Sequence, residues 1–356
     1  MDSGTSTITG LFRLTTRVVA TRRVALGAFV STLVLVMLFG LTGLDWNSFR
    51  AVNFSLFPLM AAFAILLPDA CLRAVRMRFL LPPLERRRAS LPALGAITVV
   101  QQAAGQLIPA RLGDLSYAFL MRVHYGTGWS VGLSTTLFMR LADFSAFGLV
   151  LFIATGFAFA GYSWTVLIPA LLISLLFCLG GGWGLVGGDR ALIPLLASLQ
   201  RRMKGRFAAT FEAWQKALQW GSERRRDTYA VLGASLLLWL LTVLRMWALG
   251  AGVGLDLGAL AIFVAAAGGI LTALLPVASP ANLGTMELGW VSMLMLQGVN
   301  AEEALVFGLA VHLLLIGMSV SAGVLAMVAL QAGWIRTPLT SSRGSCETLL
   351  GNDGKD

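Results

Sequence analysis

Charged residues are scarce in this chain of 356 residues. Aspartate, glutamate, lysine and arginine together make up 12% of it, whereas hydrophobic residues make up 57%. A soluble domain of this length needs more charge on its surface, so the composition argues against a soluble globular protein. A mean hydropathy of +0.80 agrees with a chain that lies within a membrane.

Residues that support metal or redox chemistry are also few. Cys71, Cys178 and Cys346 are isolated, so they form neither a metal-binding spacing nor a disulfide framework. The two histidines, His124 and His312, are far apart in the sequence. We therefore expect no metal and no other cofactor. No Gly-x-x-x-x-Gly-Lys-Ser/Thr run occurs, which argues against a nucleotide-binding loop of that type.

The net charge of +10 has a distribution typical of a membrane protein. Of the 27 basic residues, 22 lie in four regions, at 13–23, 73–90, 188–228 and beyond 330. Because cytoplasmic loops carry such an excess, we expect these regions to contact an anionic lipid surface on the cytoplasmic side. The pattern predicts a multi-pass protein of the cell inner membrane with both termini cytoplasmic, and no nucleic-acid partner.

Six apolar segments are long enough to cross a bilayer as helices, which takes about 20 residues. They span about residues 24–44, 54–72, 131–159, 164–187, 229–250 and 303–330. Two more apolar segments, about 91–123 and 258–298, are interrupted by proline, glycine and polar residues.

The charge distribution constrains these two interrupted segments. Residues 90 and 131 are both expected on the cytoplasmic side, so 91–123 must enter and leave there. By the same reasoning, 258–298 must enter and leave on the outer side. The predicted fold is therefore an all-α polytopic membrane protein, with about six full transmembrane helices and two oppositely oriented re-entrant helical hairpins.

A short repeat marks the middle of each interrupted segment. Residues 109–114 read Pro-Ala-Arg-Leu-Gly-Asp, and residues 280–285 read Pro-Ala-Asn-Leu-Gly-Thr. We predict hairpin breaks at Pro109, Gly113, Pro280 and Gly284. The two copies fall in repeat halves around 91–187 and 229–330, which the topology inverts. Inverted repeats with broken helices are typical of alternating-access carriers.

The remaining regions frame a single transmembrane domain at 24–330. Residues 1–23 are expected to form a cytoplasmic N-terminal segment, and 331–356 a cytoplasmic tail without stable structure. Around 190–220, apolar residues recur every three or four positions with basic residues between them. This pattern predicts an amphipathic cytoplasmic helix, which either covers the bundle or senses lipid.

Charged residues within the apolar segments indicate a substrate site. A charge at mid-membrane costs roughly 2.5–3.5 kcal/mol on insertion scales, so it needs a partner or a function. Arg111 and Asp114 are three residues apart, as are Arg140 and Asp143, and such residues are neighbours on a helix. These pairs either tie the first hairpin to the next helix or form a binding site to which Arg122 also contributes.

Arg111 is the strongest candidate for binding an anion. It lies at a break where backbone N–H groups and a helix N-terminus favour negative charge. Its guanidinium could bind a phosphate through two parallel hydrogen bonds, so Arg111→Lys should impair transport without unfolding the protein. The structural alternative is an ion pair with Asp114.

The second copy has a polar but non-basic set of residues, namely Ser279, Asn282 and Glu287. Glu287 is interpreted as a proton or cation site, as a partner for Arg111 or Arg140, or as a cap of the hairpin. His312 in the last span more often makes a helix–helix hydrogen bond than it binds a ligand.

Other polar residues within apolar segments are weaker candidates. Gln101, Gln102 and Gln106 lie on the first arm of the first hairpin, where they either line a wet cavity or bond between helices. Asp69 is placed to pair with Arg73. Arg245 is expected to extend its side chain towards the outer interface.

Together, these residues resemble the two signatures of the flippase-like membrane family typified by the transmembrane domain of lysylphosphatidylglycerol synthases. The first signature matches residues 109–114 with Arg122, Arg140 and Asp143, and the second matches 276–280 with Gly284 and Glu287. The resemblance covers roughly residues 20–330. Two departures are Asp114, where the family usually has glutamate, and residues 281–282, where it is richer in glycine. We expect a stand-alone member without the synthase domain.

The resemblance implies movement of an amphipathic lipid between leaflets. We therefore expect a lipid translocase that carries an anionic or glycosylated lipid through a basic intramembrane pocket. The substrate would be a phospholipid, a polyprenyl-linked sugar or a hopanoid-type lipid. Alternatives are a secondary carrier for a small organic anion, a non-catalytic accessory subunit, and a membrane enzyme. We do not expect an enzyme, because no Asp-x-Asp-like cluster occurs. The sequence leaves undecided whether the protein forms a homodimer.

Overall fold

A computed structural model describes most of the membrane portion of the chain. The described residues are 32–40, 52–81, 83–108, 113–159, 164–187, 193–194, 196–198, 201, 206–274, 280–335 and 337. Every regular element among them is helical, and no strand occurs within these ranges. The expected all-α polytopic class is therefore confirmed.

The helices are numbered here in chain order. They are α1 (32–40), α2 (Leu56–Ala64), α3 (Leu66–Leu80), α4 (Pro83–Arg88), α5 (Leu91–Leu107), α6 (Gly113–Tyr125), α7 (Trp129–Ala158), α8 (Trp164–Val186), α9 (Arg206–Glu223), α10 (Arg225–Gly252), α11 (Ala259–Thr272), α12 (Thr285–Leu296) and α13 (Ala301–Gln331). A short 3-10 helix, Pro280–Asn282, precedes α12.

Five helical segments are long and apolar enough to cross a membrane. They are Leu56–Leu80, which joins α2 and α3, Trp129–Ala158, Leu167–Val186, Arg225–Gly252 and Ala301–Gln331. These correspond to five of the six predicted spans. Of the first predicted span, 24–44, residues 32–40 are described, and they are helical.

Four shorter helices lie in the two interrupted segments. Helices α5, α6, α11 and α12 have 17, 13, 14 and 12 residues. At about 1.5 Å per residue, each is shorter than the roughly 30 Å hydrocarbon core of a bilayer. Helix α5 packs against α6, and α11 packs against α12. Each interrupted segment thus forms a pair of short packed helices.

The two short pairs have matching neighbours. Helix α6 packs against α7, which follows it, and α12 packs against α13, which follows it. Helix α5 packs against α13, and α11 packs against α7. Exchanging α5–α6–α7 with α11–α12–α13 therefore preserves this set of helix contacts.

Glycines allow α11 and α12 to approach closely. A side chain at Gly289 would collide with the backbone of Gly268 and Gly269 on the facing helix. Such direct backbone contact is a general means of packing helices in membranes, where small residues replace the hydrophobic driving force. The second pair is consequently held by backbone contact.

The break before α12 has an unusual backbone. Ala281 and Asn282 have φ values of 52° and 56°, and Gly284 has a φ of 83°. The left-handed region is uncommon for residues other than glycine, although asparagine is enriched there. The predicted breaks at Pro280 and Gly284 coincide with this change of direction. Residues 109–112, which hold the other break, lie outside the described residues.

Helix α3 extends further than the charge pattern suggested. The sequence indicated a cytoplasmic region beginning at residue 73, but α3 continues as one helix to Leu80. Arg73 and Arg76 therefore belong to a membrane-spanning segment rather than to a loop. The reason is that the guanidinium groups of Arg73 and Arg76 face carboxylates within the bundle.

The surface helix predicted around 190–220 is described over Arg206–Glu223. It packs against α7, α8 and α10, and Leu218 on its apolar side is buried. On its exposed side Lys216 donates a 2.5 Å hydrogen bond to Glu212. The predicted segments 1–23 and 331–356 lie outside the described residues, apart from 331–335 and 337.

Candidate functional site

A polar cavity of about 300 Å³ lies between the long helices and the two short pairs. We call it the arginine cavity, because four arginines line it: Arg73 and Arg76 from α3, Arg140 from α7, and Arg245 from α10. The three glutamines of α5 face it as well, and so does Asn282 from the break before α12. Its composition explains why these polar residues occur within apolar segments.

Two of the side chains that line the cavity, Arg73 and Gln102, donate hydrogen bonds to the carboxylate of Asp69. Arg73 donates to Asp69, one turn earlier on α3, at 2.7 Å through Nε and 3.2 Å through Nη2. Gln102 donates to the same carboxylate at 3.4 Å. The predicted Asp69–Arg73 pair is therefore confirmed, and it holds the Arg73 guanidinium at the cavity. Gln102 takes part both in the cavity wall and in an interhelical bond.

A second ion pair crosses the cavity wall between α3 and α7. Arg76 donates from Nη1 to Asp143 and also to the Ser235 hydroxyl on α10, at 2.8 Å. The sequence indicated that Asp143 would neutralise Arg140 on its own helix. The structure pairs Asp143 with Arg76 instead, because α3 brings that guanidinium against α7. Arg140 lines the same cavity.

Arg245 differs from the position expected for it. Rather than extending to the outer interface, its side chain lines the cavity. Its Nε atom is buried without a hydrogen-bond partner, and no carboxylate forms an ion pair with it in the part of the chain that the structure describes. This guanidinium is thus placed to bind a negative charge from outside the protein.

The arginines of the cavity differ in their described partners. Arg73 and Arg76 are bonded to Asp69 and Asp143, respectively, whereas Arg245 has no carboxylate partner among the described residues. In surroundings of low dielectric constant, such a guanidinium attracts an anion much more strongly than it would in water.

The residues predicted to form the site divide into four groups, of which Glu287 alone is the last. Arg140, Asp143 and Asn282 line the arginine cavity. Arg122 does not share it: this residue is exposed in the last turn of α6, with its guanidinium 5.9 Å from the centre of the Trp129 ring. Pro109, Arg111 and Ser279 lie outside the described residues, and of Asp114 the structure describes the backbone at the start of α6.

Glu287 belongs to a separate buried site next to the cavity. Its Oε2 accepts a 2.6 Å hydrogen bond from the backbone N–H of Gly284, and its Oε1 lies 2.6 Å from Nδ1 of His312 on α13. Both side chains are 0% exposed. The capping role and the interhelical bond of His312 are therefore confirmed. The side-chain partner of Glu287 among the described residues is His312; Arg111 lies outside them.

Sequence reasoning missed most of the arginines in the cavity. The signal was present in α3, since Asp69, Arg73 and Arg76 have the spacing of one helical face, directly after an apolar run. Arg245 carried no comparable signal, because no acidic residue lies near it in the sequence. Its role depends on which side of α10 faces the bundle.

Metal ligands do not cluster in the described ranges, where no group of three histidine, cysteine, aspartate or glutamate side chains could hold an ion.

Comparison with protein families identifies a family for this chain. A family described as Lysylphosphatidylglycerol synthase TM region matches residues 24–323, which is most of the chain. Searches of curated proteins and of solved structures found no match.

Proposed function

We propose that this chain, which belongs to the Lysylphosphatidylglycerol synthase TM region family, moves an anionic or glycosylated lipid between the leaflets of the membrane. Membership of this family supports a lipid-related role in a multi-pass membrane protein. The observation that carries the proposal is the arginine cavity, which places four guanidinium groups inside the bundle, with Arg245 lacking a carboxylate partner among the described residues.

The cavity suits a headgroup that bears a phosphate. Guanidinium groups bind phosphate oxygens through paired hydrogen bonds, and Arg73 and Arg76 are held in place by their aspartates. Arg245, which has no such partner among the described residues, would make the strongest new contact. The glutamines of α5 offer further hydrogen bonds to glycerol or sugar hydroxyls.

We further propose that the two short helix pairs are re-entrant hairpins in an inverted repeat, beside six full spans. Their lengths and the exchange of equivalent helix contacts support this architecture. Irregular backbone within a membrane is tolerated where it lines a cavity, and Asn282 in the break before α12 does so. The cavity would then open alternately to the two sides.

The remaining expectations are part of the same proposal. The protein resides in the cell inner membrane with cytoplasmic termini, as the basic residues in its loops suggest. It acts as a translocase rather than an enzyme, because the cavity's aspartates, Asp69 and Asp143, are bonded to arginines and so are poorly placed for acid–base catalysis.

Reconstitution into vesicles tests the proposal. Purified protein in liposomes should accelerate the movement of fluorescent phosphatidylglycerol between leaflets, measured by the access of a membrane-impermeant quencher. Arg245→Met should lower that rate by about 10- to 100-fold, the value of a charge-assisted hydrogen bond of roughly 1.5–3 kcal/mol. Arg86→Gln is the matched control, since Arg86 pairs with Asp227 away from the cavity and should leave the rate unchanged.

The same vesicles distinguish a protein that moves a lipid from one that carries a small water-soluble anion. Loading them with radiolabelled glycerol phosphate tests whether a water-soluble anion with the same chemistry leaves through the protein. Movement of the lipid without release of glycerol phosphate supports the translocase. Release of glycerol phosphate without movement of lipid would show a secondary carrier instead, and no lipid movement with any lipid tested would contradict the proposed function.

A further inference from the structure

The Glu287–His312 pair lies directly behind the wall of the arginine cavity. Met286, which precedes Glu287, lines that cavity, and so does Leu315, three residues after His312. The pair itself is fully buried at the contact of α12 with α13. Two ionisable groups thus lie beside the proposed substrate site, in a position that the binding of a headgroup does not use.

The hydrogen bonds of the pair leave one place for an additional proton. One proton lies between Oε1 of Glu287 and Nδ1 of His312, since two acceptors would not approach to 2.6 Å. Oε2 is occupied by the N–H of Gly284. Nε2 of His312 is buried and has no hydrogen-bond partner among the described residues. A proton from water would bind there and change the charge of the pair from −1 to zero.

Opposing effects act on these two charge states. Burial disfavours the negative state, because an ionised group away from water is costly. The N–H of Gly284 and the N-terminus of α12 favour that state, because both direct positive charge at the carboxylate.

Among the described helices that pack near the pair, few other groups are ionisable. Helices α1, α2, α5 and α11 carry none, and α12 carries Glu287 alone. On α13 the other acids are Glu302 and Glu303, at least nine residues from His312 and therefore about 14 Å along the helix axis. Helix α10 contributes Arg245 at the cavity, besides ionisable residues in its first turns.

We propose that the Glu287–His312 pair binds and releases one proton during the transport cycle, an inference that rests on the proposed function. The link to the cavity is the N–H of Gly284, because the break that contains this residue also places Asn282 at the cavity. A change in the charge of Glu287 acts on the hydrogen bond that holds the break. Moving a proton with an anionic headgroup also reduces the net charge carried across the membrane.

The chain offers a direct spectroscopic test. Because it has two histidines, the variant His124→Gln leaves His312 as its sole imidazole. Nitrogen NMR of this full-length variant, labelled with ¹⁵N-histidine in lipid bilayers, reports the protonation of both ring nitrogens. We expect Nε2 to gain a proton within the pH range in which the protein remains folded. In Glu287→Gln this titration should shift or disappear.

Ring signals that stay constant over the whole pH range in which the protein remains folded would overturn the proposal. A titration that Glu287→Gln leaves unchanged would overturn the role of the pair. Glutamine keeps an oxygen for the N–H of Gly284, which favours folding of the variant. Should it fail to fold, the titration in the parent protein still decides whether His312 takes up a proton.

Transport provides the second readout. A gradient of about one pH unit is a roughly tenfold ratio of proton activities, so it should change the initial rate of lipid movement by up to about tenfold in the parent protein. In Glu287→Gln the gradient should have no effect. If the pH gradient does not change the rate of lipid movement in the parent protein, the proposed coupling of proton binding to transport is overturned. If the parent protein moves no lipid, the proposed function fails, whereas the NMR titration still decides whether the pair binds a proton.

Discussion

The two pairs of short helices share a sequence repeat and a packing pattern, but their surroundings differ. Helix α5 of the first pair presents Thr98 and three glutamines to the arginine cavity. The second pair contributes mainly apolar groups to that wall, and its ionisable residue, Glu287, points to His312 in a dry interface. The first pair therefore presents polar groups to the cavity, whereas the second pair buries its ionisable residue in a helix contact.

Under the proposed function, this difference would divide roles between the two pairs. Polar side chains on α5 are suited to contact a headgroup, whereas α11 and α12 present mainly apolar groups to the cavity. A repeat that begins as two equal copies can thus assign binding to one copy and control of movement to the other. The following experiments test this division, starting with the largest expected effect.

Removing the carboxylate at the wet wall should cost the most stability. Asp143→Ala leaves the Arg76 side chain, which is 4% exposed, without its counter-charge. We expect a loss of about 3 kcal/mol, the lower part of the range for breaking a buried ion pair, because Asp143 is partly exposed. Thermal unfolding in detergent measures it. The double variant Arg76→Met/Asp143→Leu should recover most of the stability but not transport.

A methyl group should distinguish the packed contact of α11 with α12 from the cavity face of α5. Gly289→Ala would collide with the backbone of Gly268 and Gly269, whereas a Cβ at Gly105 on α5 meets nothing within 4 Å. We expect a loss of about 1–3 kcal/mol for Gly289→Ala and a neutral or stabilising effect for Gly105→Ala, measured by thermal unfolding. Equal effects at both positions would contradict the proposed difference.

A negative charge at the break should weaken anion binding. Asn282→Asp keeps the shape of the side chain and a residue type that tolerates positive φ, but it adds an acid to the arginine cavity. We expect lipid movement to slow by about tenfold, equivalent to about 1.4 kcal/mol. The vesicle assay with fluorescent phosphatidylglycerol measures this rate. An unchanged rate would place the headgroup away from the second pair.

The smallest effect is expected outside both pairs. Asp227 forms a long ion pair of 3.3 Å with Arg86, and both side chains are partly exposed. Asp227→Asn should cost between about 0 and 1 kcal/mol, as is usual for such pairs in contact with water. Its transport rate should equal that of the parent protein. A large loss of transport here would show that charges far from the cavity also matter.

Much of the fold was predictable because it depends on local composition. Five of the predicted spans correspond to observed helices, and α5 and α11 end at Leu107 and Thr272, within the two segments that proline and glycine were predicted to interrupt. The site was predictable in part: Arg140, Asp143 and Asn282 line the cavity. Their partners were not predictable, because the Arg76–Asp143 and Glu287–His312 contacts join residues 67 and 25 positions apart.

The sequence by itself determined that this protein crosses a membrane as helices and where those helices break, since hydropathy, proline and glycine act within a few residues. The tertiary structure alone decided which charges meet. Arg73, Arg76 and Arg245 became the walls of a cavity, and Glu287 became the partner of a histidine, because of the directions in which α3, α10 and α12 face. Those directions follow from the packing of whole helices, in which a rotation of one residue turns a side chain by about 100° and moves it from the cavity to the lipid.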